Sequence, residues 1–169
     1  MNQDNNVEFW LSGPLENIPS MLQPVAHALL QARKEVNKIM QHFAKEKLWE
    51  KPVGVASVGF HLQHLAGVLN RLFTYARNES LSPTQLDYLN KEGKPDDSLT
   101  IEFLLNNFNK QVDEVMQQLA VTNEQTLTDY RPVGRKKFPS TVIGLLFHAA
   151  EHTMRHVGQL LVTVKILSA

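Results

Sequence analysis

Three of the seven histidines in this 169-residue chain recur every fourth residue in the segment LFHAAEHTMRHVGQLL, as His148, His152 and His156. On an α-helix, residues four apart lie one turn above each other on the same face, so two imidazoles at this spacing can bind one metal ion. His148 and His156 are separated by about 12 Å along the helix axis and cannot both reach one ion. One pair therefore chelates, and the third histidine is left over.

A mononuclear site needs a third protein ligand from another element, and the segment FHLQHLAG offers His61 and His64. These two are three residues apart, so both can lie on one flank of a helix and their spacing does not choose between them. A lone histidine usually makes one ordinary hydrogen bond. The two overlapping histidine pairs, however, lie on a largely apolar helix, where packing alone would bury several polar rings without evident hydrogen-bond partners. This favours metal binding by these histidines.

The pattern His148-Ala149-Ala150-Glu151-His152 permits a different site. It matches H-x-x-E-H, in which two histidines bind zinc and the glutamate activates water for peptide hydrolysis. The match is only five residues long, and Glu151 also lies four residues before Arg155, which favours a surface ion pair. A zinc peptidase is therefore the lesser alternative.

Four segments have the apolar periodicity of amphipathic helices, which predicts helices over residues 19–48, 57–77, 99–119 and 140–167. Ser57 is a candidate N-cap for the second helix, and either Ser98 or Thr100 is a candidate for the third. The fourth helix is apolar around most of its circumference, which predicts that it is the most buried of the four. The links at residues 78–97 and 121–140 are each about twenty residues long, more than a hairpin needs. The sequence thus predicts one all-α domain over residues 1–169, a four-helix bundle with long crossover connections, and a short helix or lid in the second link.

Composition excludes several classes of partner. Seventeen basic and seventeen acidic side chains cancel, so no net field attracts nucleic acid or an anionic membrane. There is no cysteine, so nitrogen and oxygen atoms are the available metal ligands. No run of about 18 apolar residues occurs, and the segment MNQDNNVEFW lacks the features of a signal peptide. These observations favour a cytoplasmic protein with neither nucleic-acid nor membrane partners.

The segment EHTMRHVGQLL, taken together with SVGFHLQHLAGVLNRL, resembles the DinB-like superfamily of metal-binding four-helix bundles over nearly the whole chain. The resemblance implies that His64, His152 and His156 bind a divalent metal ion, nickel or zinc, with one face of the ion open. It also implies a homodimer. His148 and His61 do not match the ligand positions. The resemblance therefore implies that they line the pocket, contact the ligand side chains, or are core histidines with their own hydrogen bonds.

Proteins of this type include transferases that activate a low-molecular-weight thiol and metal-dependent hydrolases, so the resemblance implies a small-molecule substrate. The alternatives are a metal-binding or ligand-binding stress protein without turnover, and a structural dimer whose histidines are vestigial. Gly158 would let a neighbouring helix approach closely, and Gln159 could orient a ligand. The basic residues from Arg131 to Lys137 are either a solvated loop or an anion clamp near the cleft. His27 is expected to be a core or interface histidine.

Overall fold

The computed structural model describes residues 7–169. Within those residues the chain forms five α-helices and two short strands, which are α1 (Gln23–Ile39), α2 (Val58–Ala76), α3 (Pro83–Lys91), α4 (Ile101–Ala120), β1 (Tyr130–Val133), β2 (Phe138–Thr141) and α5 (Val142–Ser168). None of these helices is long and apolar enough to cross a membrane. The N-terminal segment that favoured a cytoplasmic location begins with residues 1–6, which lie outside the described part.

The bundle consists of α1, α2, α4 and α5. Both α1 and α2 pack against α4 and α5, so α1 and α2 occupy opposite corners even though they are consecutive long helices. The chain must therefore cross the bundle between α1 and α2, and again between α4 and α5. The predicted all-α bundle with crossover connections is confirmed.

Local sequence signals start the helices where they were expected. The Ser57 hydroxyl accepts a hydrogen bond from the Phe60 amide (3.2 Å) at the start of α2, as predicted. Thr100, rather than Ser98, caps α4 by accepting from the Phe103 amide (3.1 Å). Each cap pairs an amide that would otherwise have no partner in the first turn.

The two long links differ from the prediction. The first contains α3, which begins with a capping box between Ser82 and Gln85 and has Pro83 in its first turn. The second contains no α-helix; it holds the 3-10 turn Glu124–Thr126 and the antiparallel hairpin of β1 and β2. The added α-helix therefore lies in the first link, where the sequence analysis did not expect it.

Three further details of the structure differ from the prediction. The most buried helix is α2, with 15 of its 19 residues buried, whereas 11 of 27 are buried in α5. The reason is position: α2 contacts α3, α4, α5 and β1, while one face of α5 remains uncovered. The first helix ends at Ile39, and Phe43 and Leu48 reach the core from the turns that follow. Phe103, whose position follows the apolar periodicity of the third predicted helix, is not on the inner face and is 56% exposed.

Replacing Phe108 by alanine is expected to lower the free energy of unfolding by about 3 to 5 kcal/mol, because removal of a buried aromatic ring leaves a cavity in the core. Phe108 is fully buried on α4. Urea unfolding followed by circular dichroism measures the change. The matched control is Phe103→Ala on the same helix, where a change within about 0.5 kcal/mol is expected. Equal losses in the two variants would show that α4 packs through a different face.

Candidate metal centre

The histidine cluster forms where α2 packs against α5. His64 projects from α2, and His152 and His156 project from successive turns of α5. The Nε2 atoms of His64 and His152 are 2.9 Å apart, and the ring centre of His156 lies 4.4 Å from that of His64 and 4.6 Å from that of His152. Each of the three residues offers one nitrogen within 4.8 Å of the other two, so together they could hold a metal ion.

The orientation of the His64 ring is set by a carboxylate. Nδ1 of His64 lies 2.7 Å from Oε2 of Glu92, whose side chain is only 4% exposed. An ionised carboxylate only accepts hydrogen bonds, so Nδ1 of His64 carries the hydrogen and the lone pair of the neutral ring is on Nε2. This nitrogen is the one that faces His152.

Glu92 is in turn held by Arg71, whose Nη1 lies 2.5 Å from Oε1 of the carboxylate. Gly67 leaves the room that this pair needs. A Cβ at position 67 would lie 2.1 Å from Oε1 of Glu92 and 2.6 Å from Nη1 of Arg71. Gly67 thus admits the carboxylate, which reaches α2 from the end of α3.

His61 and Phe60 surround the other side of the cluster. Nδ1 of His61 lies 3.1 Å from Nδ1 of His156, so one of the two nitrogens donates to the other and Nε2 of His156 has no part in that bond. The ring of Phe60 stacks on His64, with centres 5.2 Å apart and planes 14° apart. His61 is therefore a neighbour of the cluster and is not one of its three members.

Burial favours the neutral form of His61, His152 and His156. Burial, followed by the nearby His64, lowers the pKa of His156 to about 3 and that of His61 to about 4. The same causes in the same order lower the pKa of His152. The neutral imidazole is the form that binds metals. His152 and His156 are therefore in the ligand-competent form at neutral pH without the loss of a proton.

The donor set fits a divalent ion of intermediate softness. All three donors are imidazole nitrogens, which suit zinc, nickel and copper. Nδ1 of His152 is buried and has no hydrogen-bond partner in residues 7–169. Its Nε2 is in hydrogen-bond contact with Nε2 of His64, and an ion bound between these two nitrogens would replace that hydrogen bond.

The alternative group of His148, Glu151 and His152 also has its ligand atoms within 4.8 Å, on the more exposed side of α5. Glu151 accepts hydrogen bonds from His148 (2.7 Å) and from Arg155 (2.6 Å), which confirms the predicted ion pair. Burial raises the pKa of Glu151, but the bonds from Arg155 and His148 outweigh it and lower the pKa below its usual value. A carboxylate with a lowered pKa is a poor base, which argues against the catalytic role that the H-x-x-E-H site would need from Glu151.

Other residues considered in the sequence lie away from the cluster. Arg131 donates from Nε to the carbonyl oxygen of Ala76 (2.9 Å) at the end of α2, about 18 Å along the helix from His64. The rest of the basic segment is an exposed turn between the strands, so it is not an anion clamp at the histidines. His27 is half-buried and contacts the carbonyl oxygen of Gly13 (3.1 Å). Gln159 is exposed beside His61 in a surface groove.

The sequence analysis missed Glu92, Arg71 and Phe60. Glu92 comes from a link that showed no helical prediction, and its partner His64 is 28 residues away. Phe60 immediately precedes His61, and its aromatic character was the one local signal available. Arg71 also lines a polar cavity of about 480 Å³ between α2, α3 and α4, a volume typical of small-molecule sites.

Comparison with known proteins adds one match. Residues 28–160 match the family model of the DinB superfamily, and this range includes the three clustered histidines together with Glu92 and Arg71. No curated protein matches the chain in sequence.

Alanine at His152, His156 or His64 is expected to abolish stoichiometric metal binding, because each removes one of the three nitrogens of the cluster. His148→Ala is expected to leave binding largely intact. Titration of zinc and nickel into each variant by calorimetry measures this. His61→Ala is the control for His64, and loss of a ligand's neighbour should cost at most about 10- to 100-fold in affinity. An empty site in His148→Ala together with a filled one in His156→Ala would instead support the H-x-x-E-H site.

Glu92→Gln is expected to weaken metal binding by about 10- to 100-fold, because His64 loses the carboxylate that orients its ring. The matched control is Glu79→Gln, which removes an exposed carboxylate paired with Arg77 and no histidine. Gly67→Ala should weaken binding as well, since the added methyl displaces the carboxylate without removing it. Nitrogen-15 NMR of the metal-free protein should show the Nδ1–H form of His64 in the wild type and a mixture in Glu92→Gln. Unchanged tautomer populations and affinity would refute a positioning role for Glu92.

Proposed function

Because the chain belongs to the DinB superfamily, we propose that it holds one divalent metal ion on His64, His152 and His156 and acts on a small molecule as a metal-dependent transferase or hydrolase. The observation that supports this is the approach of three imidazole nitrogens from two helices to within 4.8 Å of one another. Nickel and zinc are the metals proposed, since both accept imidazole ligands.

Three neutral ligands leave the full charge of the ion in place, and such an ion supplies Lewis acidity that lowers the pKa of a water or thiol and polarises a carbonyl. The residues of the chain prepare the site for that chemistry. Glu92 keeps the hydrogen of His64 on Nδ1, and Arg71 keeps Glu92 in place by pairing with its second oxygen. Phe60 covers the flat face of His64 and excludes water from that side.

For a transferase reaction, the proposed co-substrate is a low-molecular-weight thiol. The chain has no cysteine, so a thiol nucleophile must come from outside the protein. Hydrolysis would instead use water as the nucleophile at the same site. Both reactions need a position on the ion that the protein does not fill, and three histidine ligands leave such a position in a tetrahedral or larger coordination shell.

The test begins with metal content measured by mass spectrometry on protein expressed without a histidine tag, where one nickel or zinc per chain is expected. The ion is then replaced by cobalt, and azide or a small thiol is added. A ligand that reaches an open position should alter the visible spectrum of cobalt, and the metal-loaded protein is then screened for thiol transfer and for hydrolysis. His156→Ala is the metal-free control and His148→Ala the metal-containing one.

Each outcome distinguishes one class of function. A cobalt spectrum that no added ligand alters would show a closed structural ion and refute the proposal of an enzyme. An open site without turnover of any thiol or ester substrate would favour the metal-binding or ligand-binding protein. Absence of stoichiometric metal from wild-type protein offered nickel and zinc would refute the metal site itself.

A further inference from the structure

The polar cavity between α2, α3 and α4 has a volume of about 480 Å³, and none of the clustered histidines lines it. Buried residues of α2 form its floor, among them Gly67 and Arg71, while the exposed residues Ser80 and Thr84 form its rim. Most of the remaining wall consists of side chains with amide or hydroxyl groups. The size is typical of a small-molecule site, and the polar wall indicates a polar ligand.

Arg71 is the charged group at the floor of the cavity. The residue is 8% exposed, and Glu92 contacts only one edge of its guanidinium, with Nη1 at 2.5 Å and Nη2 at 3.4 Å. Nε of Arg71 has no hydrogen-bond partner within residues 7–169 and is not sealed from solvent, so it faces the cavity that the side chain lines. The edge formed by Nε and Nη2 presents two parallel N–H groups, the geometry that a carboxylate accepts.

The charges around the cavity also favour an anion. Its wall contains two arginines, Arg71 and Arg77, and one carboxylate, that of Glu79. The first turn of α3 borders the cavity through Thr84, and the positive end of a helix dipole favours negative charge there. Glu92 opposes an anion, but it lies on the other edge of the Arg71 guanidinium.

Two side chains of α4 add an acceptor and a donor to this wall. Nδ2 of Asn107 donates to the Tyr88 hydroxyl (3.1 Å), and Oε1 of Gln111 accepts from Nδ2 of Asn70 (3.0 Å). The other atom of each amide, Oδ1 of Asn107 and Nε2 of Gln111, has no partner within the described part of the chain and is not sealed from solvent. Hydroxyl groups both donate and accept, so they can pair with both atoms.

We propose that this cavity is a second binding site, separate from the metal centre, for a small hydroxylated carboxylic acid of the sugar-acid class. The carboxylate binds the Nε–Nη2 edge of Arg71 at the floor, and hydroxyl groups pair with the amides of Asn107 and Gln111. The proposal does not rest on the metal site or on a reaction there. Arg71 nevertheless connects the two sites, because its other edge holds the carboxylate of Glu92 that orients His64.

Gluconate is the probe, and calorimetry on the full-length protein measures its binding. Two analogues separate the two features of the ligand. Sorbitol keeps the hydroxyl groups but has no carboxylate, whereas hexanoate keeps the carboxylate but has no hydroxyl groups. Gluconate should bind at one site per chain, and each analogue should bind at least about tenfold more weakly, because each loses one set of hydrogen bonds.

Gln111→Glu is the sharpest variant, because it replaces only the amide nitrogen without a partner and keeps the oxygen that accepts from Asn70. The new carboxylate repels that of the ligand, so the affinity for gluconate should fall at least about tenfold. The matched control is Gln117→Glu, the same change at an exposed position of α4 outside the cavity, which should leave the affinity unchanged. Arg71→Lys keeps the positive charge but loses the two-pronged edge, so it should weaken gluconate binding as well.

Nitrogen-15 NMR locates the bound gluconate. The Nε–H resonance of Arg71 should shift when gluconate is added. That of Arg131, which donates to the carbonyl oxygen of Ala76, should not shift. Gluconate also chelates metal ions, so the titration is repeated with His156→Ala, which has an incomplete histidine cluster and should retain both the binding and the Arg71 shift.

Four results would overturn the proposal. Absence of binding at about 10 mM gluconate would exclude the site, because that concentration exceeds the dissociation constant of even a weak specific ligand. Sorbitol or hexanoate binding as tightly as gluconate would refute the ligand class. Binding that is lost in His156→Ala would place gluconate on the metal ion. Equal weakening by Gln111→Glu and Gln117→Glu would show a general effect of charge.

Discussion

The buried carboxylate of Glu92 is the constraint on which the neighbourhood of the histidines depends. A charge that is 4% exposed is costly unless it is paired and hydrogen-bonded, and here Arg71 and His64 are its partners. Both partners come from α2, while Glu92 itself follows α3. The pairing therefore ties the long first link to the bundle and sets the ring orientation of His64. Gly67 is small because any side chain there would occupy the space of that carboxylate.

The cluster also depends on the rigidity of α5. Two histidines one helical turn apart keep their separation whatever the rest of the protein does, because the backbone hydrogen bonds of the helix fix it. The backbone of α5 does not fix the distance to the third imidazole, that of His64, because His64 is on α2. Its position relative to His152 follows from the packing of α2 against α5, two helices that bury Leu65 and Ala149 fully in the core. A close-packed core leaves little room for such helices to slide, so it transmits a defined geometry to the site.

The circumference of α5 explains how one helix can belong to the core, the histidine cluster and an exposed apolar face. Its inner face includes Leu146, Val157 and Leu160, and the histidines lie at the edge of that face toward α2. On the opposite side of the helix, Phe147, Leu161, Val162 and Ile166 are exposed to solvent.

The sequence by itself determined what depends on neighbours within a few residues. Apolar periodicity predicted the four bundle helices, the hydroxyl of Ser57 predicted the start of α2, and the four-residue spacing of His152 and His156 predicted a chelating pair. Local spacing did not distinguish His61 from His64, did not reveal Glu92, and misjudged which of α2 and α5 is more buried. Those features depend on contacts between residues far apart in the chain, such as the 88 positions between His64 and His152. Only the packing of helices in three dimensions decides which side chains meet, because each helix has several faces and its own sequence does not say which neighbour covers each one.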